Sequence, residues 1–199
     1  MIWLDGQTIY GVTVEKHELP RPNGKLYRVM PTIGGIFVVH TTQGANITGA
    51  MSTLALHGSS PHFLGGEGRL IQCRPIGVQG SSLRGAENQY PVIQIECVGF
   101  SKLKPYLLDE PTLGPLVSLL AWAKHNLAVP MVRPSMDWKD DCSDLHLPWA
   151  ANNSRRQSGV WPSVKGIYGH LEVANQGPSW HWDPGALSYS ELFARVNAL

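Results

Sequence analysis

The tightest constraint in this sequence is a short one. Gly34-Gly35 opens the run Ile36-Phe37-Val38-Val39, which stops at His40-Thr41-Thr42. A strand with one wet face alternates polar and apolar positions; a continuous apolar run suits a strand covered on both faces. A chain built around such a strand needs covering layers on both sides of its sheet. The neighbouring segments supply them. Asn46 to His57 has helical spacing, with Ile47, Met51, Leu54 and Ala55 on one side and Asn46 or Thr48 as cap. Gly114 to Leu127 reads as the best helix, with Pro115 near its start and Pro130 beyond its end. Ser190 to Leu199 reads as a closing helix that buries Leu192, Phe193 and Val196.

Strand signals lie between these helices. Pro61 to Cys73 reads as a hairpin turning near Glu67-Gly68, and Val92 to Val98 as a further strand. Gly166 to His170 is a short strand-like approach to a histidine. Met1 to Val14 alternates weakly, Pro20 to Gly24 marks a turn, and Leu26 to Met30 offers a strand that pairs back. Helices and strands alternate, so the expected fold is α/β, a central mixed β-sheet flanked by helices in a single domain. Residues 1–33 are expected to form lead-in strands packed on a domain spanning 34–199. Met131 to Lys165 is long and irregular, which marks a functional or mobile segment.

Composition narrows the function classes. Over 199 residues there are 16 basic and 15 acidic side chains, a net charge of +1, so no broad field draws the chain to nucleic acid. No run approaches the ~20 apolar residues of a membrane span, so stable membrane insertion is not expected. The start lacks a basic leader with an apolar core, which predicts a soluble chain made in the cytoplasm without a signal peptide. Cys73, Cys97 and Cys142 are odd in number and widely spaced, which fits neither a disulfide framework nor a zinc knuckle.

The residues able to do chemistry are fewer. Of eight histidines, His40 and His170 end strand-like runs, where side chains project into a crevice at the sheet edge. In His181-Trp182-Asp183-Pro184-Gly185, Asp183 offers a hard oxygen ligand and His181 points to the same side of an extended chain. Two histidines and a carboxylate meet the needs of a hydrolytic zinc, which takes three protein ligands and keeps one position open. Asp-Pro-Gly is also an ordinary turn signal. Glu96 stands inside an apolar strand, where a lone carboxylate costs several kcal/mol unless it is paired or faces a wet cleft. It reads either as half of a salt bridge or as a general base. His62 reads as a core residue or one that supports a ligand from behind, rather than as a ligand.

Taken in order, these segments resemble the zinc-dependent N-acetylmuramoyl-L-alanine amidases, the family of the phage lysozyme-like amidases and the peptidoglycan recognition proteins. Ile36 to Thr42 resembles the first strand with its zinc histidine. Pro61 to Leu64 and Gly68 to Gln72 resemble the hairpin next in order, and Ile93 to Gly99 the strand carrying the family's glutamate. Leu116 to Leu127 with Val129-Pro130 resembles the helix before the second histidine. Gly166 to Val173 resembles the Gly-His segment, and His181 to Gly185 the closing ligand motif. The resemblance covers about residues 34 to 197. The sequence departs from it at Thr41, where a second histidine is common, at His181, where many relatives carry lysine, and at Asp183, where some carry cysteine, and the segment 131–165 is longer and richer in tryptophan than the family pattern.

The resemblance implies that His40, His170 and Asp183 hold Zn²⁺, which brings bound water to a pKa of about 7. It implies that Glu96 moves the water's proton to the leaving nitrogen and that His181 hydrogen-bonds the developing oxyanion. The bond cut is then the amide between N-acetylmuramic acid and L-alanine in peptidoglycan. Trp138, Trp149, Trp161 and Trp180 are candidates for stacking walls, with core packing or loop anchoring as the alternative. Arg155, beside Arg156, is a candidate for a stem-peptide carboxylate, with solvated surface as the alternative. Two other functions share these motifs: a non-catalytic peptidoglycan-binding module, and a metallopeptidase acting within the stem peptide. A wall enzyme without a leader fits a phage lysis enzyme released through a permeabilised membrane, an injected toxin, or a domain of a longer chain. Oligomeric state is not encoded in any of these motifs.

Overall fold

The computed structural model describes residues 1–20, 28–30, 35–100, 110–134, 160–173, 183–184 and 187–199. Seven strands form one mixed sheet: β1 (Thr8–Ile9), β2 (Val12–Lys16), β3 (Ile36–Thr41), β4 (Phe63–Gly66), β5 (Arg69–Gln72), β6 (Pro91–Cys97) and β7 (Gly166–Gly169). Their order across the sheet is β1-β2-β5-β4-β6-β3-β7. Strands β4, β6, β3 and β7 run parallel, and β5 reverses against β4. Among the described residues three α-helices accompany the sheet: α1 (Ile47–His57), α2 (Glu110–Leu127) and α3 (Tyr189–Asn197).

The apolar run does what its composition requires. All six residues of β3 are buried. Phe37 and Val39 join the large core with α2 and α3, while Ile36 and Val38 pack with Leu83, Trp161, Tyr168 and Val173. Helix α1 covers β4 and β5 through Ile47, Ala50 and Leu54 over Leu64, Ile71 and Cys73. Met51 packs at the edge of that contact, and Ala55, expected on the same face, is exposed. Asn46 caps α1: its side-chain oxygen accepts from the Gly49 N–H at 2.7 Å.

Two local features explain how the layers lock. The β4–β5 turn has positive φ at both Glu67 (53°) and Gly68 (73°), the combination a two-residue hairpin loop of the right twist demands. The Glu67 carboxylate accepts from the Ile47 N–H at 3.2 Å, which adds negative charge at the start of α1. Helix α2 begins four residues earlier than its sequence signal, so Pro115 lies inside it rather than near its first position. A proline there leaves the carbonyl four residues back without its helical donor. That carbonyl belongs to Pro111, and it accepts instead from the Gly68 N–H at 2.7 Å. The hairpin tip thereby ties α1 to α2 and resolves the proline conflict.

The first residues belong to the same sheet. β1 and β2 form its outer edge beside β5, and Leu4, Ile9 and Val14 sit in the main core. The strand expected over 26–30 falls partly outside the described residues; within them Val29 makes one isolated bridge to Val78. Among the described residues, no helix is long and apolar enough to cross a membrane.

Candidate metal centre

Register places the site. His40 on β3 is paired with Glu96 on β6, and one residue earlier Val39 is paired with Gly169 on β7. His40 and Glu96 at the C-terminal ends of β3 and β6, and His170 one residue past the end of β7, therefore come into one row. On β6 the odd-numbered residues Ile93, Ile95 and Cys97 face the large core. Gln94 and Glu96 consequently face the opposite side. His40 shares the parity of Ile36 and Val38, so it too leaves the large core.

Asp183 completes the row. The Nδ1 atoms of His40 and His170 lie 3.0 Å apart. Asp183 Oδ2 is 3.7 Å from His40 Nδ1 and 3.3 Å from His170 Nδ1. A tetrahedral zinc with bonds of about 2.0–2.1 Å holds its donors about 3.3 Å apart, and these three edges scatter around that value. Nitrogen, nitrogen and carboxylate oxygen are a donor set that zinc accepts. His40, His170 and Asp183 are all buried and form a group that can hold a metal ion. The Thr41 N–H donates to Asp183 Oδ2 at 3.3 Å, so the main chain beside His40 orients the carboxylate.

Glu96 stands next to this group, its Oε1 4.0 Å from His40 Nδ1. Burial first, and then the Asp183 carboxylate, hold its carboxyl well above the usual carboxylate range. A cation at the cluster opposes that shift, because positive charge favours both ionised carboxylates. Glu96 is thus a buried acid whose proton affinity depends on what occupies the cluster.

The other sequence candidates separate. Trp161 is 2% exposed; its ring meets Tyr168 edge-on at 5.0 Å and its Nε1–H donates to Glu87 at 2.6 Å. An indole so enclosed offers no stacking face, so the stacking role gives way to core packing and loop anchoring. His62 is fully buried away from the cluster. Its Nδ1 accepts from the Gln94 N–H at 3.0 Å and its Nε2 meets the Val78 carbonyl at 2.8 Å. His181, Trp138, Trp149, Trp180 and Arg155 lie outside the described residues. The sequence assigned no role to Arg133, Glu172 or Tyr189, which contact one another through Arg133, with Glu172 bound to Gly169 beside His170. Only Glu172, a carboxylate two residues after a strand-end histidine, carried any signal.

Fold and site together define a class: an α/β protein with a mixed sheet and a buried His-His-Asp group at the strand ends. The structural neighbours of that fold are N-acetylmuramoyl-L-alanine amidases and peptidoglycan recognition proteins. The Staphylococcus aureus hydrolase AmiA, solved in complex with its ligand, matches with a TM-score of 0.60 at 16% identity, over 93% of this chain and 82% of that one. The endolysin N-acetylmuramoyl-L-alanine amidase LysCS from Clostridium intestinale URNW matches at 0.54 and 14% identity, over 93% and 95%. The Drosophila peptidoglycan recognition protein SD matches at 0.56 and 17% identity, over 90% and 93%. No protein-family model matches the sequence, and no curated protein matches it.

Proposed function

We propose that this chain is a zinc-dependent amidase that hydrolyses the amide between N-acetylmuramic acid and L-alanine in bacterial peptidoglycan. The observation that carries the reading is the convergence of His40 Nδ1, His170 Nδ1 and Asp183 Oδ2 at tetrahedral spacing, with Glu96 alongside. Neighbours of the same fold that are amidases by name support the bond class. A zinc ion bound there supplies Lewis acidity, polarising an amide carbonyl and making water acidic near neutral pH. Glu96 takes the proton of the attacking water and delivers it to the leaving nitrogen. His181 is assigned to donate a hydrogen bond to the developing oxyanion. Trp138, Trp149 and Trp180 are assigned to stacking against the substrate, and Arg155 to a stem-peptide carboxylate. The enzyme acts on the cell wall, after release from the cell that makes it or after injection.

The test is digestion of purified sacculi with analysis of the products by mass spectrometry. Amidase action releases stem peptides with a free L-alanine amine and leaves intact lactyl groups on the glycan. Fragments cut inside the stem peptide indicate a peptidase instead. Binding without any release, by protein that carries zinc, indicates a recognition module.

A further inference from the structure

His40 is fixed within a central strand, but His170 and Asp183 lie beyond the sheet. The β3–β7 pairing ends with Val39 opposite Gly169, so main-chain pairing between strands does not hold His170 in place. A side-chain assembly takes over at that point. Glu172 Oε2 accepts from the Gly169 N–H at 2.6 Å, and the Val173 N–H reaches back to the His170 carbonyl at 3.1 Å. These two bonds close a single 3-10 turn, His170–Glu172, that swings His170 into the cluster. Glu172 is only 2% exposed, and a carboxylate so deep needs a cation beside it. Arg133 Nε supplies one, donating to Glu172 Oε1 at 3.0 Å.

The same guanidinium also reaches Tyr189, six residues after Asp183. Arg133 Cζ lies 4.1 Å from the centre of the Tyr189 ring, a cation–π stack at the first residue of α3. Tyr189 and Asp183-Pro184 close together on Gly169. A Cβ at that glycine would sit 2.6 Å from Pro184 Cδ, 3.1 Å from the Tyr189 hydroxyl and 3.4 Å from the Asp183 carbonyl. The close approach of the Asp183 segment to β7 therefore depends on a residue without a side chain.

We propose that Arg133 is a positioning residue that sets the spacing between His170 and Asp183, acting on the first through Glu172 and on the second through the shared packing of Tyr189 and Asp183-Pro184 on Gly169. This inference rests on the metal-centre reading above. Residues behind metal ligands characteristically change metal affinity 10- to 100-fold when they are lost. In this chain that effect is assigned to one arginine shared by two ligands. Ligands whose relative placement is fixed before the ion arrives need not be ordered by it.

The test uses full-length protein and three readouts: zinc affinity by competition with a chromophoric chelator, the visible spectrum of the cobalt(II)-loaded protein, and the Tm of the metal-free form. Arg133→Gln and Glu172→Gln should each weaken zinc binding about 10- to 100-fold and change the cobalt spectrum. The double variant should fall within about threefold of the weaker single variant, because both act along one chain of contacts. Gly169→Ala, which leaves the Arg133–Glu172 pair intact but crowds Pro184, should also weaken zinc and change the spectrum. Where Arg133→Gln does not fold, Arg133→Lys decides by the same readouts, since it keeps the charge and loses the planar stack. Variants that bind zinc within threefold of wild type, with an unchanged cobalt spectrum and a lowered Tm, overturn the proposal and leave the metal centre standing. Wild-type protein that takes up neither zinc nor cobalt contradicts the metal-centre reading itself.

Discussion

Two buried histidine sites lie two strands apart in this sheet, and they are built for opposite ends. His62, just before β4, has each ring nitrogen matched to a main-chain group, the Gln94 N–H and the Val78 carbonyl. That pairing fixes the neutral ring with its proton on Nε2. Burial, the largest influence, lowers its pKa to about 4, and the nearby Arg74 charge adds to this. His40 and His170 instead turn their Nδ1 atoms toward each other and toward a carboxylate. Burial alone therefore does not mark a metal ligand. What separates the two sites is whether ring nitrogens are directed at the backbone or converge on a common point.

The larger effects are expected at the converging site. His40→Ala or His170→Ala should abolish stoichiometric zinc binding and cut wall hydrolysis by at least about 10³-fold, since the several kcal/mol supplied by the ion is lost. Metal analysis and a turbidity assay on sacculi read both effects. Glu96→Gln should separate binding from chemistry: zinc stays at one per chain while hydrolysis falls by about 10²- to 10⁴-fold. Equal loss of zinc in that variant would move Glu96 from proton carrier to ligand support.

The closed site should respond in stability only. His62→Ala strands a buried N–H and a buried carbonyl and leaves a cavity, a cost of about 2–4 kcal/mol in urea unfolding. It should keep its zinc. The pH dependence has a definite sign. Between about pH 6.5 and about 4 the unfolded chain protonates His62 and the native protein does not. Stability is therefore present in full above that window and falls as pH drops through it, by up to about 3 kcal/mol. Unfolding of metal-free protein at pH 7, 5.5 and 4 checks this, and His62→Ala should flatten the slope.

The legibility of these features in the sequence depends on the physics behind each. β3 was readable because covering on both faces demands an unbroken apolar run. The hairpin at Glu67-Gly68 was readable because its turn needs unusual backbone angles. Helix α2 was misplaced at its start because Pro115 signals a first turn, and only the tertiary bond from Gly68 to the Pro111 carbonyl lets a proline sit farther in. Among the site residues, His40 stood at a strand end and His170 one residue past another, where strand register brings them near each other. Arg133 and Tyr189 gave no pattern and Glu172 only its place after a strand-end histidine, because what links them is contact between segments 39 and 56 residues from Arg133, not a periodicity within one. Trp161 looked like a ligand wall for the same reason that it packs well, a large flat ring in an irregular stretch.

If His40, His170 and Asp183 share one ion, metal stoichiometry shows it. Purified wild-type protein and His62→Ala, loaded with zinc and dialysed, should each retain one zinc per chain, and His170→Ala should retain none. A wild-type chain that emerges without zinc, or a His170→Ala chain that keeps it, would contradict the account.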